Sequence, residues 1–226
     1  MSKKMMLLAL AVASAALFAL PAFASAEEIH WDTAATFTGT GAGGTLKAKG
    51  EPTITCGGTD VTNGTISAGG TTGTMTLDFT SCHTFIFGIT AKCHTAGSPL
   101  DNTIASSGTS HLITWKNTSG TAFPAVLVTT VTTEIICAGI SSTHVEGNVI
   151  GTITSPACGT SSKTMTLSFT SSVNASGDVT QTHELYTGKN YDLVARTGGG
   201  GGTPITAGLE GDATLTANTA GTLTCT

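Results

Sequence analysis

The chain has 226 residues and carries 9 Lys plus Arg against 14 Asp plus Glu, a formal net charge of −5. That acidic balance argues against a surface built on phosphate-backbone contacts, and so against nucleic acid as a partner. Only 10 % of the residues are charged, whereas 46 are Thr and 29 are Gly, so helix-favouring long side chains are scarce and β-branched, turn-rich sequence dominates.

The first element is an export signal. Lys3 and Lys4 form a positive start, Met5 to Leu20 is an uncharged apolar stretch, and Ala24-Ser25-Ala26 supplies the small-x-small motif of a signal peptidase site. Residues 1–26 are therefore read as a cleaved signal peptide, and residues 27–226 as one secreted all-β domain beginning at Glu27. No Cys follows the cleavage site, no twin Arg precedes the apolar run, and no later stretch approaches the roughly 18 apolar residues of a membrane span, so neither a lipid nor a transmembrane anchor is expected. Taking Lys3 and Lys4 from the 9 basic residues leaves 7 against 14 acidic ones, a net of −7 for the mature chain.

Alternation of apolar and polar residues and the turn signals between them predict strands at Ala35–Thr40, Thr45–Lys49, Thr53–Cys56, Val61–Ser67 and Phe85–Thr90. Further on they predict His111–Lys116, Ala125–Cys137, Val145–Thr154, His183–Tyr186, Tyr191–Ala195, Ala213–Ala217 and Thr222–Cys225. Two segments are nearly identical: Thr74-Met75-Thr76-Leu77-Asp78-Phe79-Thr80 and Thr164-Met165-Thr166-Leu167-Ser168-Phe169-Thr170. Each places Met, Leu and Phe on one face and hydroxyls on the other, as a half-buried antiparallel strand requires. Each also follows a Gly-Thr-Ile segment, at Gly64 to Ile66 and at Gly151 to Ile153, which looks like a duplicated hairpin. Gly198 to Gly202 leaves too short a tail for a second core and is read as a surface loop. Many short strands without intervening helices predict a single-domain antiparallel β-sandwich, with a β-barrel as the alternative.

Six cysteines, Cys56, Cys82, Cys93, Cys137, Cys158 and Cys225, fit disulfide bonding in an oxidising compartment, with 15 connectivities open. Spacing favours Cys82 with Cys93 and Cys137 with Cys158, leaving Cys56 to join Cys225. The pairs Cys82-His83 and Cys93-His94 also raise a zinc site of two Cys and two His. Neighbours on a strand point to opposite faces, which weighs against a shared ion, so no metal or other cofactor is expected.

None of the contiguous catalytic motifs is found: no Gly-x-Ser-x-Gly elbow, no His-Glu-x-x-His, no phosphate loop. His144 and Glu146 lie two apart on a predicted strand and share a face, as a base and its orienter would. His183 with Glu184, and Trp31 or Trp115 as sugar-stacking platforms, are the other candidates, and Asn63, Asn117 and Asn174 each begin an Asn-x-Ser/Thr sequon. A polar pair on a solvated strand face is the commoner meaning of such residues, so no catalytic residue is assigned and the chain is expected not to be an enzyme.

The order of Thr53-Ile54-Thr55-Cys56, Phe79-Thr80-Ser81-Cys82, Cys93, Gly147-Asn148-Val149-Ile150-Gly151-Thr152-Ile153-Thr154 and Leu167-Ser168-Phe169 resembles uncharacterised secreted proteins of soil actinobacteria. That resemblance implies export but no activity and no site residues. Phe37-Thr38-Gly39 with the Cys56 and Cys82 strands is similar to secreted proteins of the biofilm-matrix and alkane-oxidation-activator type, which implies an extracellular surface role. The expectation is a structural or adhesive protein contacting wall or matrix polymer, or other copies of itself. An extracellular module for sugar or a small ligand, and a hydrolase with a non-contiguous site, are the alternatives.

Overall fold

The computed structural model describes residues 29–98, 101–117, 119–139, 141–183, 185–186, 189–198 and 200–225. The predicted signal peptide, residues 1–26, and the predicted mature start at Glu27 lie outside the described residues. Among those described, the chain is all-β and every pairing is antiparallel. The first nine strands are β1 (Ile29–Trp31), β2 (Ala35–Gly41), β3 (Gly44–Ala48), β4 (Ile54–Cys56), β5 (Gly58–Ile66), β6 (Thr72–Thr80), β7 (His83–Ile86), β8 (Ile89–Thr95) and β9 (Ile104–Lys116). They are followed by β10 (Ala122–Cys137), β11 (Ser141–Ser155), β12 (Ser161–Phe169), β13 (Ser171–Val173), β14 (Val179–Gln181), β15 (Leu185–Tyr186), β16 (Lys189–Asn190), β17 (Leu193–Thr197) and β18 (Ile205–Cys225).

Fourteen strands form one sheet whose pairing closes on itself twice. One ring runs β2–β5–β6–β9–β10–β11–β12–β18 and back to β2. The other runs β3–β4–β7–β8–β10–β11–β17–β18 and back to β3. The long strands β10, β11 and β18 belong to both rings, so the architecture is not a clean barrel. Each of the three changes partners near an irregular backbone position. In β10 it is the bulge between Val128 and Val131, where Thr130 has φ +58°. In β18 it is Gly211, with φ +156°. In β11 it is Gly147, with φ +130°, where a Cβ would lie 2.2 Å from the Asp192 carbonyl oxygen, so only glycine fits.

Period-two alternation decides what is buried. Met75 and Leu77 of β6 and Met165, Leu167 and Phe169 of β12 all lie in one core, with Phe79 packed against it, while Thr76 and Thr166 are half-buried on the other side. The two look-alike hairpins differ in register. Thr65 of the first Gly-Thr-Ile opposes Thr74, whereas Thr152 of the second opposes Ser168, four positions farther along the matched segment.

Some predicted elements are corrected. Phe85–Thr90 is not one strand but the end of the β7–β8 hairpin, which turns at Phe87 and Gly88. Ala213–Ala217 and Thr222–Cys225 are parts of the single 21-residue β18. His183 lies in a turn before β15, and Tyr191 precedes β17. Gly198 to Gly202 falls in the connection between β17 and β18, as a loop inside the domain.

All six cysteines are paired, but as Cys56–Cys82, Cys93–Cys137 and Cys158–Cys225. The expected partners Cys82–Cys93, Cys137–Cys158 and Cys56–Cys225 are therefore wrong. Sheet neighbours rather than sequence neighbours set the pairing: β4 lies beside β7, and in the β8–β10 register Cys93 stands opposite Cys137. Disulfides of this kind belong to proteins that mature in an oxidising, extracellular-type environment. No helix among the described residues is long and apolar enough to cross a membrane.

Candidate functional site

The predicted His144 and Glu146 share the outer face of β11, where their side chains approach at 3.6 Å, beyond good hydrogen-bond length. Register brings Arg196 of β17 opposite His144, and this third residue was missed by sequence reasoning. Arg196 donates from Nε and Nη2 to Glu146 Oε1, each at 2.9 Å, and from Nη1 to the Gly202 carbonyl at 3.2 Å. Its guanidinium holds the Glu146 carboxyl below the ordinary carboxylate range. Glu146 is thus engaged by a permanent cation and is poorly placed to orient an imidazole. Ser142, two positions away on the same strand, donates its hydroxyl to Glu134 Oε1 at 2.8 Å rather than to His144. The cluster lacks the nucleophile–base contact that acyl transfer requires.

Beside His144 lies an open groove of about 340 Å³, lined by Thr76, Thr95, Ser107, Thr132 and Glu134. It is open and hydroxylated, and Thr side chains also stand in rows elsewhere on the sheet. Thr36, Thr65, Thr74, Thr109 and Thr129 stand opposite one another across β2, β5, β6, β9 and β10. Thr164, Thr216 and Thr38 form a second row across β12, β18 and β2, and Thr166, Thr214 and Thr40 a third. Most of these side chains are exposed, because their inward neighbours are the core residues Phe37, Met75, Met165, Leu167 and Leu215. The Thr65 and Thr74 hydroxyls lie 2.8 Å apart, so part of the array is internally hydrogen-bonded.

His183 is brought against Trp115, edge to face with ring centroids 4.3 Å apart, and Glu184 lies outside the described residues. Its Nδ1 is buried without a hydrogen-bond partner, and burial holds the imidazole below its ordinary pKa. Trp115 and Tyr191 pack on a small outer cluster of Ile113, Ala125, Leu127 and Ile150, so this region is a covering layer over β9–β11. Trp31 is fully buried, which removes it as a sugar platform. Asn63 occupies the β5 bulge at φ +53°, and the Asn117 and Asn174 side chains close local turns.

The Cys2His2 zinc arrangement does not form: Cys82 and Cys93 are both disulfide-bonded, and no metal-binding group of three or more His, Cys, Asp or Glu occurs among the described residues. An apolar cavity of about 60 Å³ lies inside the core among Leu46, Met75, Leu77, Ile104, Val128 and Ile135. It is smaller than the roughly 150 Å³ void known to admit benzene and far below an ordinary ligand pocket. Comparison with known proteins leaves the geometry to speak alone: no protein-family model, no curated protein and no solved structure matches the chain significantly.

Proposed function

We propose that this chain is a non-catalytic, exported attachment protein whose exposed Thr rows contact a hydroxyl-rich wall or matrix polymer. The observation that carries this reading is the cross-strand registry of the Thr side chains over β12, β18, β2, β5, β6 and β9. Neighbouring strands hold such hydroxyls about 4.8 Å apart, and successive outward residues of one strand stand about 7 Å apart. Each hydroxyl both donates and accepts, and a β-branched side chain loses little rotamer freedom on contact. Many weak, pre-positioned hydrogen bonds of this kind suit an extended polymer better than a single small molecule. Three disulfides staple the sheet that carries these rows.

The test replaces hydroxyl by methyl without changing side-chain shape. A Thr38→Val/Thr214→Val/Thr216→Val protein should retain its melting temperature yet lose retention on insoluble polysaccharide and cell-wall preparations. Unchanged retention would remove the Thr rows from the binding surface. Turnover of a glycoside, ester or peptide substrate, abolished by His144→Ala or His183→Ala, would overturn the non-catalytic reading altogether.

A further inference from the structure

The β7–β8 hairpin breaks two folding preferences at one residue. Phe87 and Gly88 are the central residues of its two-residue turn, with Ile86 and Ile89 paired on either side. Their φ angles are +50° and +83°, the type I′ geometry that favours Asn-Gly and penalises a bulky first residue. Phe87 nevertheless occupies that place and is 95 % exposed. Neither the backbone nor the core gains from it, and strain held at an exposed position points to a role outside folding.

The surroundings extend the anomaly. Phe85 and Ile89 are 65 % and 60 % exposed. Phe85 points away from the core side of the hairpin and Ile89 shares the other face with Ile86, so the tip is apolar on both faces as well as at its end. β4 pairs only with His83 and Thr84, and β10 pairs only with Cys93 to Thr95. Residues 85–90 therefore pair only within the hairpin; Ile86 and Ala91 still pack inward at its base, and Phe85, Phe87 and Ile89 stand clear of the sheet. A free two-stranded ribbon is marginal in water. This one is clamped at its base by Cys56–Cys82 and Cys93–Cys137, so the tip is a rigid projection.

We propose that this projection is a membrane-docking element that inserts Phe85, Phe87 and Ile89 into the interfacial layer of a phospholipid bilayer. A protein partner with a flat patch would cover one face of the ribbon, whereas a fluid apolar phase surrounds both. Phe85 to Phe87 spans roughly 7 Å at the rise of a strand, within the roughly 5–10 Å depth at which interfacial elements sit. Lys92 and His83, opposite each other and both exposed, form a collar two residue pairs below Phe85, on the headgroup side of the inserted residues. No Asp or Glu occurs between Asp78 and Asp101, although the chain as a whole is acidic. Insertion is thus driven by apolar transfer with local phosphate complementarity, and it needs no anionic lipid. This inference is independent of the Thr-row reading and uses a different surface.

The experiment is flotation of the protein with phosphatidylcholine vesicles at low and high salt. Wild type should float in both, and Phe87→Asn should weaken partition by at least tenfold on loss of one aromatic anchor. Asn suits the turn, so the variant's melting temperature should be unchanged or higher. A Phe87→Trp protein should show blue-shifted emission with the vesicles, quenched by lipids labelled near the headgroup. Failure of wild type to float, or equal flotation of Phe87→Asn, overturns the proposal. So does a melting temperature lowered by Phe87→Asn, which would return Phe87 to the fold. A soluble dimer dissociated by Phe87→Asn, with no vesicle binding, would overturn it in favour of a second copy as the occupant.

Discussion

Gly151 and Phe169 form a contact whose energetics can be worked through in advance. Phe169 is 5 % exposed, in the main core. Thr152 opposes Ser168 and Ile153 opposes Leu167, so continuing the register places Gly151 opposite Phe169. A Cβ at Gly151 would lie 2.7 Å from both Cε1 and Cζ of the Phe169 ring. Phe169→Ala empties this space and should cost about 3–5 kcal/mol. Gly151→Ala drives a methyl into the ring, at about 1–3 kcal/mol, offset by about 0.4–1 kcal/mol from a less flexible unfolded chain. In the double variant the new methyl enters the vacated space, so it should be no less stable than Phe169→Ala alone, a favourable coupling of about 1–3 kcal/mol. At about 2–4 °C per kcal/mol for a domain of this size, Phe169→Ala should lower Tm by about 6–20 °C, and adding Gly151→Ala should lower it no further. Thermal and urea melts with disulfides intact read this directly. Strict additivity of the two single changes would refute the seating of the ring on the glycine.

The connectivity is open to non-reducing peptide mapping, which should recover Cys56–Cys82, Cys93–Cys137 and Cys158–Cys225; a Cys82–Cys93 peptide would contradict the β4–β7 neighbourhood. Cys158 and Cys225 are 67 residues apart, so replacing both by Ser should cost roughly 4 kcal/mol in the chain-entropy account, read as a drop in Tm. Burial holds His183 below its ordinary pKa, so the unfolded chain binds that proton first as pH falls. Its contribution to stability is therefore full above about pH 6.5 and is lost progressively below it, down to the lower pKa of the folded state. His183→Phe should flatten this part of the profile, and identical pH slopes for the two proteins would exclude His183 as the source.

Which parts of this fold were legible follows from what kind of signal each carries. β6 and β12 could be read because Met, Leu and Phe alternate with hydroxyls at period two, and both strands bury those residues. The first half of β9, Ala105-Ser106-Ser107-Gly108-Thr109-Ser110, has no apolar alternation; it is a strand because β6 pairs with it along its length. β18 was expected as two separate strands, Ala213–Ala217 and Thr222–Cys225, yet Gly208, Gly211 and Gly221 all lie within one continuous strand. Two of these glycines answer to tertiary neighbours: a Cβ at Gly208 would meet Ser171 and Val179, and one at Gly221 would meet the Trp31 indole. The repeated Gly-Thr-Ile has a similar cause in both copies, since Gly64 lies against Phe37 as Gly151 lies against Phe169. That shared packing need explains the likeness even though the two registers differ by four residues. At the surface, the common face of His144 and Glu146 followed from strand period. The Arg196 that takes over Glu146 is 50 residues away and was visible only once β17 paired with β11.

The hairpin at Phe87 was misread for the same reason that it now carries a functional proposal. Phe85-Ile86-Phe87-Gly88-Ile89 is an apolar run, and apolar runs are read as buried strand. An Asn before Gly88 would have announced the turn and left nothing apolar at its tip. Local preference and observed structure part company at this residue, and agreement between them is the rule where a sequence serves only its fold. The disulfides at the hairpin base sharpen the point, because covalent clamping lets the ribbon keep its shape without burying its tip. A ribbon relying on packing alone would have had to fold Phe85 and Phe87 back onto the sheet, and it would then have been both easier to predict and unable to reach beyond the surface.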